Sequence, residues 1–494
     1  MNRTLPRSLA LALVPIALLL CGFSCGVPLA PGYRIVREST EIRFVPGQAP
    51  ELQIRARYAM QNSGNSDLRF VDVSFPEEKA FGRKNLRVEV DGRETTLGSV
   101  SAENQEAEPD ALRIAFDPPW ARKQTREFSI EYVFSSPEGT GARIALTDNA
   151  FHLGARGWLP EFLPPKHLLA PNPMRPALTS YTVRVPADFF IAARGSRKGQ
   201  KKEGDETEYR FQLTRDDLAP FVVAGQYVTW PSDRRAHSPI FWTTAPLKGD
   251  ASPAAERIMA AWSALVTAFG PLDKHITVPQ IVESPGLRGR NAGGIGPAAV
   301  AFPGGAIVNP AALALGPSSD QFFDIVVHAL AHDWFGEELY AAPNAAVGMG
   351  EGLPEYATIV VDEAQGGSAV RNRRVVEYLQ RYDEARKEAS EMPVAALMMT
   401  DPIGPRRIAL AKAPLFYVAL EDACGEAPVR SGLAHLAALQ RGQAASYPEL
   451  RSALEQSTNR DLAKLFRLWL NEKGIPDDFR SRYQGSAAGE VAEK

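Results

Sequence analysis

The strongest structural signal in this 494-residue chain is Val326-Val-His-Ala-Leu-Ala-His-Asp-Trp-Phe-Gly-Glu337, which is followed by Gly350-Glu-Gly-Leu-Pro-Glu-Tyr356. We interpret the first segment as a helix on which His328 and His332 lie one turn apart. Their imidazoles therefore leave the same helix face, with Cβ atoms roughly 5–6 Å apart. Eighteen residues separate His332 from Glu351, which is enough for a turn and the start of a second helix. The spacing thus predicts that two imidazoles and one carboxylate meet.

Two imidazoles and a carboxylate form a ligand set for a metal ion, and these nitrogen and oxygen donors fit zinc best. Three protein ligands leave the fourth tetrahedral position open, as in a catalytic site. The chain contains 7 histidines, so the whole triad is expected by chance in fewer than about 0.01 cases. A buried triad without metal would also be costly to desolvate. We therefore predict that His328, His332 and Glu351 bind zinc.

The stretch from His328 to Tyr356 resembles the gluzincin aminopeptidase family, of the alanyl-aminopeptidase type. That family has His-Glu-x-x-His, then Gln-Trp-Phe-Gly, and then a glutamate within Asn-Glu-Gly. Here both histidines are present, with Trp334-Phe335-Gly336 and Glu351-Gly352 at the same spacing. The resemblance covers most of the chain after the N-terminal segment. It implies a sandwich domain followed by a thermolysin-like domain.

The departures from the family pattern fall on residues to which the resemblance assigns catalysis. Ala329 stands where the family has the glutamate that acts as general base. The family's substrate loop, Gly-x-Met-Glu-Asn, corresponds to Gly293-Gly-Ile-Gly-Pro297, so Gly296 replaces the carboxylate that grips the substrate's free amine. Leu410 stands at the position of the tyrosine that stabilises the tetrahedral intermediate, although Tyr417 lies nearby. The loop residues that we expect to line the substrate cleft are Gly293, Gly294, Ile295 and Gly296.

Two further carboxylates lie near the predicted site in sequence. Asp333 lies one turn beyond Ala329 and is the only substitute base that the sequence offers. Its short side chain would have to reach back about 5 Å along the helix axis. Glu355 lies one turn after Glu351. It either orients a histidine ligand from behind or is an ordinary solvated residue on the helix surface.

The replaced residues predict a catalytically impaired protein. Loss of a positioned base costs roughly 10²–10⁴-fold in rate, and loss of an oxyanion donor about 10²–10³-fold. We therefore expect a pseudopeptidase whose cleft binds a peptide or protein ligand. Two alternatives stay open: an active zinc metallohydrolase with a different base, and a metal-free interaction protein of the cell envelope. The net charge of −3 gives no basic surface for nucleic acid.

The first thirty residues have the pattern of an export signal. Arg3 and Arg7 precede the apolar run Leu9–Leu20, which is shorter than a membrane-spanning helix and typical of a signal peptide. Cys25, with Cys21 as the alternative, resembles the lipidation site of a bacterial lipoprotein. We predict a lipoprotein anchored to a membrane of the bacterial cell envelope. A secreted or periplasmic protein and an uncleaved anchor are the alternatives. The remaining cysteine of the chain is Cys424, which excludes a disulfide framework.

Patterning along the rest of the chain predicts two domains. Short alternating runs from about Tyr33 to Trp230 predict an antiparallel β-sandwich, with Asp91-Gly92 as a hairpin turn. The sequence that follows predicts a thermolysin-like α+β domain that is mainly helical, in which Pro279 favours an edge strand and Ser318 a helix cap. The predicted units are a signal or lipoprotein segment at 1–30, the sandwich at 31–235, the zinc-binding domain at 236–484 and a disordered tail at 485–494.

Overall fold

The computed structural model describes residues 32–74, 83–99, 111–135, 144–154, 158–163, 179–213, 220–231, 238–247, 249–272, 278–284, 298–441 and 443–491. The predicted export segment, with Cys21 and Cys25, lies outside the described residues, and so does the loop Gly293–Gly296. In the part of the chain that is described, no helix combines the length and apolarity needed to cross a membrane.

The N-terminal part of the protein is built from strands. In chain order they are β1 (Arg34–Val45), β2 (Glu51–Gln61), β3 (Leu68–Ser74), β4 (Arg83–Val90), β5 (Arg93–Glu94), β6 (Leu97–Ser99), β7 (Leu112–Trp120), β8 (Thr125–Ser135), β9 (Ile144–Thr147), β10 (Ala150–Leu153), β11 (Glu161–Leu163), β12 (Thr179–Pro186), β13 (Phe190–Ala193), β14 (Ser196–Glu203), β15 (Glu206–Leu213) and β16 (Val222–Gly225). In the long strands β2, β8 and β12, alternate residues enter one apolar core, as the period of two predicts.

These strands form three sheets within the described residues. The largest has the order β14-β15-β12-β1-β2-β8-β4-β5, and the two smaller ones have the orders β13-β16-β10-β9 and β11-β3-β7-β6. The turn between β4 and β5 is Asp91-Gly92, whose φ angles of 51° and 75° fit the predicted two-residue hairpin. The pairing is antiparallel except that β1 runs parallel to β12. These two strands are far apart in sequence, so no hairpin sets their relative direction, and a purely antiparallel expectation was wrong there.

The C-terminal part combines a smaller sheet with most of the helices. Its strands are β17 (Val228–Trp230), β18 (Ile240–Thr243), β19 (Gln280–Glu283), β20 (Ala299–Phe302), β21 (Gly305–Val308), β22 (Tyr340–Ala341) and β23 (Ala444–Ala445). Its α-helices are α1 (Ser252–Phe269), α2 (Pro310–Ala314), α3 (Asp320–Ala331), α4 (Gly352–Glu388), α5 (Ile403–Cys424), α6 (Glu426–Leu439), α7 (Tyr447–Thr458), α8 (Ala463–Phe466) and α9 (Asp477–Val491). Shorter helical turns are π-helical at Asp333–Glu338, Ala346–Glu351 and Arg467–Asn471, and 3₁₀ at Pro343–Ala345 and Val394–Ala396. The chain is thus multidomain, with many-stranded sheets first and a helical part second.

The five-stranded sheet corrects the prediction made from Pro279. Its order is β17-β18-β19-β21-β20, so β19 is internal and not at an edge. Pro279 immediately precedes the first residue of β19, where its missing N–H leaves no gap in the ladder, and its carbonyl accepts a hydrogen bond from the N–H of Ile240 at 3.1 Å. A proline at this position is compatible with an internal strand.

The N-terminal sheets pack directly against the C-terminal part. A small apolar cluster contains Ala192, Phe221 and Val223 from the first and Val282, Phe302 and Ile307 from the second. Arg194 pairs with Glu337 at 3.0 Å, and both side chains are largely buried. Because Glu337 belongs to the π-helical turn that follows His332, this ion pair connects the N-terminal sheets to the segment of the predicted metal site.

His152 of β10 lies at the same junction and gives a prediction about pH. Its Nδ1 lies 2.9 Å from the hydroxyl of Ser284, and burial lowers the pKa of His152 to about 3. An unfolded histidine has a pKa of about 6.5, so below that pH the unfolded chain binds a proton that the folded chain excludes. Relative to a His152→Gln variant, the protein should lose about 2 kcal/mol of unfolding free energy between pH 7 and pH 5. Urea unfolding at both pH values measures this, and a pH-independent difference between the two proteins contradicts it.

Candidate metal centre

Two adjoining helical segments position the predicted ligands. Helix α3 begins after Ser319, whose side chain accepts a hydrogen bond from the N–H of Phe322, one residue later than the cap that we predicted at Ser318. Its apolar face enters the C-terminal core, which leaves His328 and His332 on the partly exposed side. The second segment is the π-helical turn Ala346–Glu351, which leads directly into α4.

The structure brings the three predicted ligands together. The Nε2 atoms of His328 and His332 lie 3.1 Å apart. The nearest carboxylate oxygen of Glu351 is 3.6 Å from Nε2 of His328 and 3.8 Å from Nε2 of His332. A tetrahedral zinc with bonds of about 2.0–2.1 Å holds its ligand atoms about 3.3–3.4 Å apart. Three atoms separated by 3.1 to 3.8 Å therefore fit zinc closely.

The charges of the triad also suit a cation. Burial raises the pKa of the Glu351 carboxyl, but the two neighbouring imidazoles outweigh burial and leave this pKa below its usual value. Burial lowers the pKa of His332 to about 4, which keeps its imidazole neutral. For His328 burial lowers the pKa, yet the carboxylates of Glu351 and Glu355 prevail and raise it. One carboxylate and at least one neutral imidazole are thus present at neutral pH.

The carboxylate of Glu355 lies beside the His328 ring. Its Oε1 is 3.4 Å from Nδ1 of His328, and its other carboxylate oxygen accepts a hydrogen bond from the hydroxyl of Tyr378. Tyr378 reaches this place because α4 bends at Gly367, where φ is +75°, and its two halves fold back on each other. The sequence analysis did not identify Tyr378. The Gly366-Gly367 pair, which marks the bend of α4, was the feature that could have pointed to it.

This contact predicts that Glu355 supports metal binding without being a ligand. A carboxylate behind a histidine ligand fixes its tautomer and orientation, and its loss lowers metal affinity about 10–100-fold. We expect this loss for Glu355→Gln in a zinc-chelator competition assay. The matched control is Glu384→Gln, an exposed position on the same helix. Equal affinities for the two variants would leave Glu355 as a surface residue.

The absence of a side chain at Gly336 leaves room for the ring of His332. A Cβ atom built on Gly336 would lie 3.1 Å from Nδ1 of His332, which is tighter than an ordinary contact. The glycine that follows Trp334-Phe335 therefore lets the His332 ring pack closely against the π-helical turn. This is a physical reason for the small residue in the Trp-Phe-Gly part of the motif.

Ala329 and Asp333, the two positions that we considered for a general base, are both buried. Ala329 is 1% exposed and carries no functional group. Asp333 is 2% exposed, and its Oδ1 accepts a hydrogen bond from the N–H of Gly304 at 3.3 Å. Burial, together with the nearby Glu337 and Glu338 carboxylates, raises the pKa of Asp333 well above its usual value. A base for water at the triad would need an accessible carboxylate, and the Asp333 carboxyl is instead buried and bonded to the backbone.

Leu410 and Tyr417, the two residues that we considered for the tyrosine role, offer no free hydroxyl to the triad. Leu410 is partly buried against the C-terminal core. Tyr417 is fully buried and donates a hydrogen bond to the carbonyl of Gly348 at 2.9 Å. This hydrogen bond ties Tyr417 to the π-helical turn that ends at Glu351.

Solved structures show which fold these elements form. No protein-family model matches the chain, and no curated protein sequence matches it. An M1 zinc metallopeptidase from Deinococcus radiodurans is 16% identical, with a TM-score of 0.58, and the match covers 90% of this chain and 95% of that one. The chain therefore has the fold of M1 zinc metallopeptidases.

Two ligand-bound structures match over similar lengths. One is a glutamate-to-alanine mutant of the Deinococcus radiodurans enzyme bound to a Tyr-Ser-Ala substrate, with 16% identity, 90% and 95% coverage and a TM-score of 0.59. The other is a two-domain M1 zinc metallopeptidase mutant bound to L-arginine, with 16% identity, 90% and 95% coverage and a TM-score of 0.60. At this identity, the similarity establishes the fold alone.

Proposed function

We propose that this protein is an exported zinc-binding pseudopeptidase. In this proposal the strand-rich part is a β-sandwich, the C-terminal part is thermolysin-like, and the protein's cleft holds a peptide or protein ligand without efficient cleavage. The observation that carries it is a ligand triangle of zinc dimensions at His328, His332 and Glu351 beside the apolar Ala329. A neighbouring glutamate-to-alanine enzyme carries a bound Tyr-Ser-Ala substrate, which supports peptide binding by this fold in such a variant.

The site has the means to bind but lacks the means to transfer protons. A zinc ion held by the triad would supply Lewis acidity, polarising a carbonyl oxygen and lowering the pKa of water to about 7. Among the described residues, the carboxylates that we find within 4.0 Å of the two imidazoles are Glu351 and Glu355. In this proposal the first is a ligand. The second lies 3.4 Å from Nδ1 of His328 and accepts a hydrogen bond from Tyr378, so neither serves as a base. The active-hydrolase alternative rested on Asp333, whose burial and bond to Gly304 disfavour it.

Turnover measurements test the proposal. The purified protein should contain zinc, bind peptides and show less than about 1% of the turnover of a peptidase with its general base. Robust hydrolysis that chelation abolishes and His328→Ala removes would refute the pseudopeptidase proposal. Purified protein without zinc would favour the metal-free alternative.

We also propose that a lipid on Cys25, or on Cys21, anchors the protein to a membrane of a bacterial cell envelope. The support is the export-signal pattern that precedes these cysteines. Fatty-acid labelling in cells tests the anchor, with Cys25→Ser and Cys21→Ser separating the two positions. Unlabelled protein in the wild type would point to secretion.

A further inference from the structure

An exposed apolar segment connects α4 to α5. Four large apolar side chains between α4 and the start of α5 are 38–49% exposed: Met392, Met398, Met399 and Ile403. The segment approaches the centre at Val394, since a Cβ on Gly348 would lie 3.0 Å from Val394 Cγ1. Gly348 belongs to the turn that ends at Glu351. We call these four residues the methionine patch; flexible methionine side chains suit varied apolar ligands.

Helix α5 presents one cationic side chain on the face that packs against the metal centre. A Cβ on Gly352 would lie 2.7 Å from the Cβ of Ala413 and 3.5 Å from the ring of Tyr417, so these residues define that face. Leu410 and Arg406 precede Ala413 by three and seven residues, which places them on the same face. Arg406 is about 10 Å from Ala413 along the helix axis, toward the methionine patch.

The guanidinium of Arg406 lacks a partner among the residues that the structure describes. Its Nε is buried and has no hydrogen bond, whereas the adjacent Arg407 pairs with Glu388 at 2.6 Å. An unsatisfied buried donor is costly, and more so when it is charged. A guanidinium without an ion-pair partner can bind a carboxylate through its terminal Nη atoms with two hydrogen bonds.

We propose that Arg406 binds the C-terminal carboxylate of a peptide whose last, apolar side chain packs on the methionine patch. The inference rests on the proposed function and names its ligand class. An extended chain spans about 3.3–3.6 Å per residue, so two or three residues connect the metal centre to a carboxylate at Arg406.

Calorimetric titration of the zinc-loaded full chain tests this assignment. The probe is the tetrapeptide Ala-Ala-Phe-Leu as free acid and as C-terminal amide, each with a free and an acetylated N-terminus. The free acid should bind at least about tenfold more tightly than the amide, and acetylation should have little effect. Replacing the last residue by serine should weaken binding about tenfold, because the leucine side chain leaves the apolar patch.

Variants separate Arg406 from its surroundings. Arg406→Gln should remove the difference between acid and amide, while zinc content stays unchanged and the melting temperature does not fall. Arg407→Gln, one residue further on the exposed side of α5, should preserve that difference. Equal binding of acid and amide to the wild type, or the same loss in both variants, overturns the assignment and leaves the proposed function standing. If no form of the peptide binds to a stoichiometrically zinc-loaded chain, peptide binding itself is refuted.

Discussion

His332→Ala should lose the zinc that the wild-type protein retains through purification. The wild type is expected to hold one zinc per chain, because its three ligand atoms already stand 3.1 to 3.8 Å apart and need little rearrangement. Removing one of three protein ligands should lower affinity by more than the about 100-fold that loss of an outer partner costs. Metal analysis by mass spectrometry and competition with a chromophoric chelator measure the two quantities.

The control for this variant is His435→Ala, which changes an exposed histidine of α6. It should keep one zinc per chain with unchanged affinity. Zinc bound equally well by His332→Ala would show that the metal lies elsewhere, and a wild type without zinc would show that the triad is a remnant.

The zinc affinity should also decrease as the pH is lowered. The pKa of His328 is raised in the metal-free site, so an imidazolium is present there at a higher pH than for an ordinary histidine. A ligand nitrogen must be deprotonated, and metal binding then releases the proton. The affinity should therefore decrease tenfold per pH unit for each proton released as the pH falls below that pKa. An affinity that is flat between pH 7.5 and pH 5.5 contradicts this.

The ligand triad could be found from sequence because it depends on local geometry. Histidines four residues apart share a helix face whatever surrounds them. Glu351 was predicted as the third ligand from its spacing to His332 alone. Long-range contacts decided the remaining positions. The surroundings of Glu355 could not be predicted from sequence. They include Tyr378, 23 residues away, whose hydroxyl donates a hydrogen bond to the Glu355 carboxylate.

Asp333 and Tyr417 show why the rest of the site was beyond sequence reasoning. On a regular helix, Asp333 follows Ala329 by one turn and points toward the metal. The chain instead becomes π-helical at Asp333, and its carboxyl bonds to the turn between β20 and β21. Tyr417 was a candidate by proximity in sequence, but its hydroxyl holds the Gly348 carbonyl. Both polar groups make contacts that hold the segments around the triad, and neither is free to face it.

Ala329→Glu should convert the protein into a measurable peptidase. Ala329 is adjacent to His328 on the helix that supplies both histidines, so a carboxylate there would lie beside the metal centre. A positioned general base is worth roughly 10²–10⁴-fold in rate, and the ligand triangle that it needs is already formed. Because Gly296 and Leu410 remain unchanged, the gained activity should be modest and should not require a free substrate amine.

The matched control for that gain is Ala329→Gln, which adds the same volume at the same buried position but cannot accept a proton. Comparison of the two variants separates base chemistry from the packing cost that both share. Hydrolysis at least about 100-fold faster in Ala329→Glu than in Ala329→Gln, with equal zinc content, would locate the loss of catalysis at residue 329. Equal and negligible rates in two zinc-loaded variants would mean that the cleft no longer places a scissile bond at the triad. The protein would then be a binding protein whose deficiency lies in substrate placement as well as in proton transfer.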